Sequence, residues 1–298
     1  MEPVNDLLFV VLTGSSQARK HFRLLVDSLR TFGRSYGRCP IWLFEVNPGA
    51  AACQEFEKLG IRVLPLTVPD ALKGYILADK VAACARAEEL APPGVKSLVW
   101  LNPECFFTRP PELFDLAPAF DAALRPVHIR NVGLPVSAPL DEYWERIYAA
   151  VGAQDTDLTV ESFVDGQRIR AYYNTHAFAV TPQKGLFRRW QACFEALVCD
   201  RDFQQGACRD ELHQIFLHQA VLSALLATTL QAERICNLPP EYSYPYHLHA
   251  SIPPARRAQA LNDLVCVVYE PEVPFDPGRM SDSAVNDPLK AWFAARSA

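Results

Sequence analysis

Two hydrophobic patterns alternate along the first seventy residues. A continuous apolar run predicts a strand that is buried on both faces at residues 7–12, and two further strands are predicted at 41–46 and 61–66. Between the first two strands, residues 17–32 carry apolar side chains at helical spacing, and a shorter helical segment over 51–59 stops at Gly60. Strands and helices that alternate over short connections predict a parallel sheet with helices on both faces.

The same patterns continue to residue 269. Further helices are predicted over 79–90, 140–151, 183–198 and 209–229. Further strands are predicted over 98–101, 122–127, 171–180, 234–236 and 264–269. Loops and connectors are predicted over 108–121, 128–140, 152–170 and 270–288, with a short helix near 288–295. Because no repeat or low-complexity linker divides the chain, we expect an α/β fold in a single domain spanning residues 1–298.

Composition and charge exclude several classes of protein. Half of the 298 residues are hydrophobic, which suffices for a large core, and the formal net charge is −5 without a basic block. A nucleic-acid partner is therefore not expected. No apolar run is long enough to span a bilayer, so no transmembrane segment is expected.

The nine cysteines are scattered along the chain without a C-x-x-C pair. Their spacing argues against a local zinc site, and several lie in apolar runs, where a thiol packs as a small hydrophobe. The first residues also lack the basic region of an export signal. We therefore expect reduced thiols and a cytoplasmic location.

A polar break at residues 102–104 interrupts a strongly apolar part of the chain. It separates a buried strand ending at Leu101 from a second apolar run that begins at Cys105. Asn102 and Glu104 are two residues apart, so both side chains point the same way from an extended backbone. Oxygen ligands at this spacing are suited to hold a divalent metal against a diphosphate. The alternative is an ordinary turn, for which Asn and Pro are typical.

Two other apolar segments carry polar residues that need partners. Residues 173–176, with the sequence Tyr-Asn-Thr-His, interrupt an aromatic strand. In the long helix predicted over 209–229, Gln219 lies inside the apolar arc and His218 lies at its edge. Buried polar groups of this kind either form an internal network or line a cavity that holds a ligand, and the sequence leaves both possibilities open.

Histidines and tyrosines are concentrated in the proline-rich segment 237–249. Tyrosine and histidine side chains on a rigid loop are suited to bind sugars or a base. His247 and His249 share a face if the backbone is extended, and either is suited to bind a metal. The alternative is an ordinary aromatic packing loop.

Small and charged residues follow the first strand and open a later helix. Thr13, Gly14 and Ser15 come directly after the first strand, where open α/β sheets bind ligands. Asp79 and Lys80 open a helix, and Lys80 is suited to neutralise a phosphate unless it belongs to a solvated first turn. The chain has no G-x-G-x-x-G, Walker P-loop or G-x-S-x-G motif, which disfavours the sites that these motifs form.

In their order, these motifs resemble those of GT-A glycosyltransferases, nearest to the family 8 group of glycogenin and galactosyltransferase-like enzymes. That family's central strand ends in an Asp-x-Asp metal motif, and residues 102–104 occupy its place as Asn-x-Glu. Its later aromatic strand with Asn is similar to residues 172–176, and its Asp-Gln pair is similar to His218 and Gln219. Its Leu-Pro-x-x-Tyr-Asn segment resembles residues 238–243. The resemblance covers about residues 7–269.

This resemblance implies a mixed, mostly parallel sheet flanked by helices. It implies a nucleotide-binding half over about 7–127, an acceptor and sugar half over 128–269, and a C-terminal tail over 270–298. A UDP- or GDP-sugar would be the donor, the acceptor is unknown, and Mn²⁺ or Mg²⁺ would be held by Asn102, Glu104 and His249. The implied catalytic residues are Glu104, Gln219 and Asp210. The implied nucleotide-sugar-binding residues are Thr13, Gly14, Ser15, Asp79, Lys80, Asn102, Asn174, Thr175 and His218.

The chain departs from that family at the metal motif and at the helix. Asn102 replaces a carboxylate with a neutral amide oxygen, which binds hard cations more weakly, and His218 stands where the family has Asp. The family's late metal-binding His is not clear here, and residues 269–271, Tyr-Glu-Pro, stand in its place unless His247 or His249 has taken its role. An inverting reaction needs a carboxylate base, and the sequence does not choose among Asp210, Glu211, Asp165 and Glu161.

Two functions from different classes remain open. The first is a glycosyltransferase that moves a sugar from a nucleoside-diphosphate sugar to an unknown acceptor. The second is a non-catalytic nucleotide-sugar-binding or scaffold protein of the same fold. A sugar-phosphate nucleotidyltransferase is disfavoured, because the turn that Thr13, Gly14 and Ser15 begin lacks the charged, glycine-rich loop that this chemistry needs.

Overall fold

The computed structural model describes residues 6–46, 50–116, 118–270 and 284–297. The strands in this part of the chain are β1 (Leu7–Thr13), β2 (Ile41–Glu45), β3 (Arg62–Pro65), β4 (Ser97–Leu101), β5 (Cys105–Phe107), β6 (Ala122–Leu124), β7 (Thr159–Glu161), β8 (Arg168–Arg170), β9 (Ala177–Val180), β10 (Ile235–Asn237), β11 (Tyr244–Pro245) and β12 (Cys266–Val268). The α-helices are α1 (Ser16–Phe32), α2 (Ala50–Lys58), α3 (Ala78–Leu90), α4 (Glu142–Ala150), α5 (Leu186–Cys199), α6 (Arg201–Gln205), α7 (Glu211–Thr229) and α8 (Leu289–Ser297).

A seven-stranded sheet lies at the centre, in the order β10-β6-β9-β4-β1-β2-β3. Strands β1 to β4 are parallel, with Val10 of β1 opposite both Trp42 of β2 and Trp100 of β4. Strand β9 runs antiparallel between β4 and β6, and β10 is parallel to β6. The prediction of a mixed, mostly parallel sheet is confirmed, and strands from both predicted halves belong to it.

The uninterrupted apolar runs of the central strands are explained by burial on both faces. In β1, Leu8 and Val10 pack into one hydrophobic cluster with α3, α5 and α7. Phe9 and Val11 pack into a second cluster with α1. Alternate residues of a strand point to opposite faces, so a strand covered by helices on both sides needs apolar residues throughout.

A smaller hydrophobic cluster joins the C-terminal helix to the second sheet, which has the order β11-β12-β5. Trp292 and Phe293 of α8 pack there with Phe106 of β5 and Tyr269, the residue after β12. The predicted terminal helix is therefore confirmed. The rest of the predicted tail, over 271–283, lies outside the described residues.

Three local predictions were wrong. The predicted loop over 152–170 contains the antiparallel pair of β7 and β8. The strand predicted over 171–180 is continuous only from Ala177. Before it, Tyr173 makes an isolated antiparallel bridge to Pro126, and residues 174–176 line a cavity. His247 and His249 lie on a short 3-10 helix, Tyr246–Ser251, so the shared face expected for an extended backbone does not form.

No helix in the part of the chain that the structure describes is long and apolar enough to cross a bilayer.

Candidate functional site

A cavity of about 370 Å³ opens at the edge of the sheet where β4 ends and β9 begins. We call it the edge pocket. The hydrogen-bonding and charged residues that line it are Lys80, Asn102, His128, Asn131, Asn174, Thr175, His176, His218, Gln219, His247 and Glu270. Its volume falls in the range of small-molecule sites, which is about 300–1,000 Å³.

The register of the antiparallel strands β4 and β9 places the polar residue after β4 beside the polar residues before β9. Leu101 at the end of β4 lies opposite Ala177 at the start of β9, so Asn102 and residues 174–176 extend from the same edge. The backbone N–H of Asn102 donates to the carbonyl oxygen of His176 at 2.7 Å. Open α/β sheets bind ligands outside the carboxyl ends of their parallel strands, and the edge pocket lies at that end of β4.

Lys80, in the first turn of α3, is a buried cation in the edge pocket. Its ammonium group donates to the carbonyl oxygen of Thr175 at 2.5 Å and to Asn102 Oδ1 at 3.2 Å. Its Nζ also lies 5.5 Å from the centre of the Trp100 ring. Burial disfavours the charged form and lowers the pKa of Lys80 to about 8. The group therefore still carries its charge at pH 7, in surroundings that screen it weakly.

Helix α7 contributes two buried polar side chains. His218 Nδ1 lies 2.9 Å from the carbonyl oxygen of Ile215, so Nδ1 carries the proton and Nε2 accepts the Thr175 hydroxyl at 3.0 Å. Burial holds the pKa of His218 well below its usual value and keeps the ring neutral. Gln219 Oε1 lies 3.4 Å from the same hydroxyl, whose single proton is already donated to His218. Thr175 therefore leaves the Gln219 oxygen able to accept from a ligand.

Three histidine rings lie close together along the edge pocket. His128 and His176 stack with ring centres 5.8 Å apart and planes at 6°, and the His247 ring centre lies 6.5 Å from that of His128. Burial lowers the pKa of His176 to about 3, and it also lowers the pKa values of His128 and His247. These rings are therefore neutral at pH 7 and offer hydrogen bonds rather than charge.

Asn174 is oriented by its neighbour in the chain. Its Oδ1 accepts from the backbone N–H of His176 and from His176 Nδ1, both at 2.7 Å. The carbonyl side of the amide is therefore occupied, and the amide nitrogen of Asn174 is left to donate to a ligand in the edge pocket.

Six of the predicted site residues thus line one cavity, namely Lys80, Asn102, Asn174, Thr175, His218 and Gln219. The loop after β1 does not line it. The Thr13 hydroxyl donates to the buried carboxylate of Glu45, which Arg19 also binds at 2.8 and 3.0 Å. Ser15 accepts a backbone N–H of α1 at 3.1 Å and so caps that helix, with Gly14 between the two. These contacts give the loop a structural role at the helix start.

Asp79 also lies outside the edge pocket, beside a second cavity of about 530 Å³. Leu77, whose φ of 61° is in the left-handed region, lines both cavities. Asp79 Oδ1 accepts the backbone N–H of Lys80 at 2.8 Å. This contact holds the first turn of α3, from which the Lys80 side chain enters the edge pocket.

Two of the three predicted catalytic residues do not line the edge pocket. Asp210 caps α7 by accepting the backbone N–H of His213 at 3.1 Å, and it also binds the His213 ring at 2.6 Å. The backbone bends at Pro103 and Glu104 instead of staying extended, so Asn102 lines the cavity and Glu104 does not. Gln219 is the predicted catalytic residue that the structure places there.

The residues predicted to bind metal do not fit a divalent cation. Both donors near Asn102 Oδ1 compete with a metal, namely Lys80 Nζ at 3.2 Å and Trp100 Nε1 at 2.9 Å. His249 is buried with its Nδ1 2.7 Å from the Tyr244 hydroxyl, outside the cavity lining. Within the described ranges, no three His, Cys, Asp or Glu side chains are grouped to hold a metal ion. The side chains of the described residues therefore do not form a site for Mn²⁺ or Mg²⁺.

Sequence reasoning missed His128 and Glu270 as cavity residues. Both follow strands, β6 and β12 respectively. His128 comes shortly after the carboxyl end of β6, which is parallel to β10. Ligand-binding residues often follow strand ends of this kind, and this position is the signal that could have identified it. Glu270 lies 3.5 Å from His247 Nε2 and is the one carboxylate among the described lining residues. In the sequence it stands where the resembled family has its late metal-binding His, but it was not predicted as a site residue.

Comparisons with known proteins agree with this architecture. A family model described as the Rhodobacterales glycosyltransferase domain matches residues 9–228. No curated protein matches the chain. A solved structure of the galactosyltransferase LgtC, in complex with donor and acceptor sugar analogues, superposes with a TM-score of 0.55. The match covers 97% of this chain and 93% of that one at 11% sequence identity, so it shows the GT-A fold and nothing about substrates.

Proposed function

The chain belongs to the Rhodobacterales glycosyltransferase domain family, and we propose that it binds a nucleoside-diphosphate sugar in the edge pocket and transfers the sugar to an unidentified acceptor. The observation that carries this proposal is the convergence of Lys80, Asn174 and Gln219 on one cavity beside the carboxyl end of β4. Each of these side chains can donate or accept a hydrogen bond with the hydroxyl or phosphate groups of a nucleoside-diphosphate sugar. The donor would carry UDP or GDP, as the sequence motifs imply.

The neutral groups of the pocket are suited to a sugar. Sugar hydroxyls both donate and accept, so they need partners of both kinds. The Asn174 amide nitrogen donates, and the Gln219 oxygen accepts. Ile215 and Phe216 of α7 add apolar surface to the same lining. The pocket would therefore orient the donor sugar through hydrogen bonds from a preformed wall.

The proposed reaction breaks the bond between the anomeric carbon and the diphosphate oxygen. The electron pair stays on the diphosphate, the acceptor hydroxyl oxygen bonds to the anomeric carbon, and its proton is released to solvent. A developing anion of this kind is stabilised by fixed donors in the site. A general base for an inverting reaction would be Glu270 beside His247, since Asp210, Glu211, Asp165 and Glu161 do not line the cavity.

In the proposed complex, the two halves of the chain that the resemblance implies would bind different parts of the donor. Lys80 and Asn102 belong to the half over 7–127, and the other polar groups that line the pocket belong to 128–269, apart from Glu270. We assign the diphosphate to the first half and the sugar and acceptor to the second. The eight cysteines whose side chains are described are free thiols, which supports a cytoplasmic location.

Release of nucleoside diphosphate from a panel of UDP- and GDP-sugars tests the proposal. The assay is run with water and with a mixture of sugar acceptors, on the wild type, Gln219→Ala and Gln214→Ala. Gln214 lies on α7 but outside the pocket lining, so it is the matched control. We expect one donor to be turned over, with a loss of at least tenfold in Gln219→Ala alone. Binding without turnover of any donor would instead favour the non-catalytic alternative.

A further inference from the structure

The Asn-x-Glu segment offers no metal ligand to the edge pocket, and a lysine is found where a cation is needed. Asn102 Oδ1 faces two donors, Lys80 Nζ at 3.2 Å and Trp100 Nε1 at 2.9 Å. An amide oxygen has two lone pairs, so both are engaged. A divalent ion at this oxygen would have to displace the lysine or stand beside its positive charge, which costs Coulomb energy.

The charges around the cavity lead to the same conclusion. Among the described residues that line it, Lys80 is the one side chain that is cationic at pH 7, and Glu270 is the one carboxylate. The Glu270 side chain is 56% exposed and faces His247 Nε2 at 3.5 Å, so it lies at the solvent side. Mg²⁺ and Mn²⁺ prefer several oxygen ligands, including carboxylates, and this lining does not supply them.

The Lys80 ammonium group is fixed in position and has one N–H donor left for an anion. An ammonium group has three N–H donors, and two of them are assigned to Thr175 and Asn102. The third is available to an oxygen of a ligand in the edge pocket. The residue is 4% exposed, and its contacts to a backbone carbonyl and to the Trp100 ring fix its position. A fixed, poorly hydrated cation stabilises developing charge without reorganisation.

We infer that Lys80, positioned by Asn102 and the Thr175 carbonyl, binds the donor diphosphate in place of a divalent metal ion. This inference rests on the proposed function, because it concerns the leaving group of that reaction. The bond from the anomeric carbon to the diphosphate breaks, its electron pair goes to the diphosphate oxygen, and a Lys80 N–H donates to that oxygen. The Lys80 proton is not transferred.

Binding and turnover with and without metal test the inference. UDP and GDP are titrated calorimetrically into the full chain in EDTA, and again with excess Mn²⁺ or Mg²⁺. The variants are Lys80→Met, Lys80→Arg and the matched control Lys96→Met, whose lysine pairs with Asp6 at the surface. Circular dichroism and the midpoint of thermal unfolding establish that each variant folds.

We expect the wild type and Lys96→Met to bind one nucleotide equally well in EDTA and in Mn²⁺. Lys80→Met should weaken binding and lower diphosphate release by at least a hundredfold, while Lys80→Arg keeps part of both because it keeps the charge. Wild-type binding that needs Mn²⁺ would overturn the inference without requiring any variant to fold. No binding under either condition would contradict the proposed function itself, so the two failures are distinguishable.

Discussion

His128 and His176 stack with nearly parallel rings, whose centres are 5.8 Å apart and whose planes meet at 6°. His128 Nε2 donates to the carbonyl oxygen of Ser243 at 2.8 Å, and His176 Nδ1 donates to Asn174 Oδ1 at 2.7 Å. The hydrogen bonds fix one tautomer of each neutral ring. The stack joins the segment after β6 to the segment before β9, and burial of both rings disfavours their protonated forms.

Stability should therefore fall in mild acid. Burial lowers the pKa values of His128, His176 and His218 in the folded state, whereas in the unfolded chain each titrates near its ordinary value of about 6.5. Below that pH the unfolded chain takes up protons that the native state does not, so unfolding is favoured as pH falls. We expect a loss of about 1 kcal/mol per histidine between pH 7 and 5.5.

Urea unfolding at the two pH values measures this loss, and His176→Gln should reduce the pH dependence by the share of one histidine. A free energy of unfolding that stays constant between pH 7 and 5.5 would contradict the assignment of neutral rings.

Adjacent glutamates on α3 should differ sharply in their effect on stability. The buried Glu88 carboxylate accepts the backbone N–H groups of Phe187 and Arg188, both at 3.0 Å, and so caps α5 from α3. Glu89 is exposed and pairs with Arg86. We expect Glu88→Gln to cost about 1–3 kcal/mol, because buried donors lose a charged acceptor. Glu89→Gln should cost less than about 0.5 kcal/mol.

Chemical denaturation of both variants in one buffer gives the comparison. Equal effects would show that the Glu88 cap does not hold α5 to α3.

Asp210 should matter for stability rather than for turnover. The sequence suggested a catalytic role, but its side chain caps α7 and does not line the edge pocket. Asp210→Ala should destabilise the protein by about 1 kcal/mol, as is usual for a lost helix cap. Diphosphate release per folded molecule should stay within twofold of the wild type. A hundredfold loss of diphosphate release with normal thermal unfolding would show that Asp210 has a catalytic role after all.

Donor affinity should decrease at alkaline pH. Burial lowers the pKa of Lys80 to about 8, and only the protonated form binds a diphosphate as proposed. As pH rises above 8, the free protein loses the binding-competent charge, so the dissociation constant should increase by about tenfold per pH unit. Calorimetric titration of UDP and GDP in EDTA between pH 7 and 9.5 tests this. An unchanged affinity across that range would show that the Lys80 ammonium group does not bind the diphosphate.

Much of the fold was predictable because the central strands are buried on both faces. The apolar run at residues 7–12 and the helical spacing over 17–32 require a covered parallel sheet, and β1 and α1 lie where that pattern placed them. The run over 171–180 misled, since its aromatic residues are typical of a strand. Only tertiary contacts determine that the buried Tyr173 makes an isolated bridge to Pro126 while the continuous strand begins at Ala177.

The site was predictable where residues follow a strand and unpredictable where the backbone bends. Asn102 and Asn174 were identified from polar breaks in apolar segments, and both line the edge pocket. The sequence could not show that the side chains of Asn102 and Glu104 point in different directions. Side chains two residues apart lie on the same side only where the backbone is extended. The bend after Asn102 and the Lys80 contact depend on α3, which no local sequence pattern relates to β4.

Hydrogen exchange with and without a nucleotide sugar tests the central claim most directly. UDP-glucose and GDP-mannose serve as probes at saturating concentration, with Mn²⁺ present so that the outcome does not depend on the role of Lys80. We predict slower exchange in peptides covering 172–178 and 214–221, which carry Asn174, Thr175, His218 and Gln219. Protection limited to other surfaces, such as the cavity beside Arg256 and Arg257, or no protection with either probe, would contradict a donor site in the edge pocket.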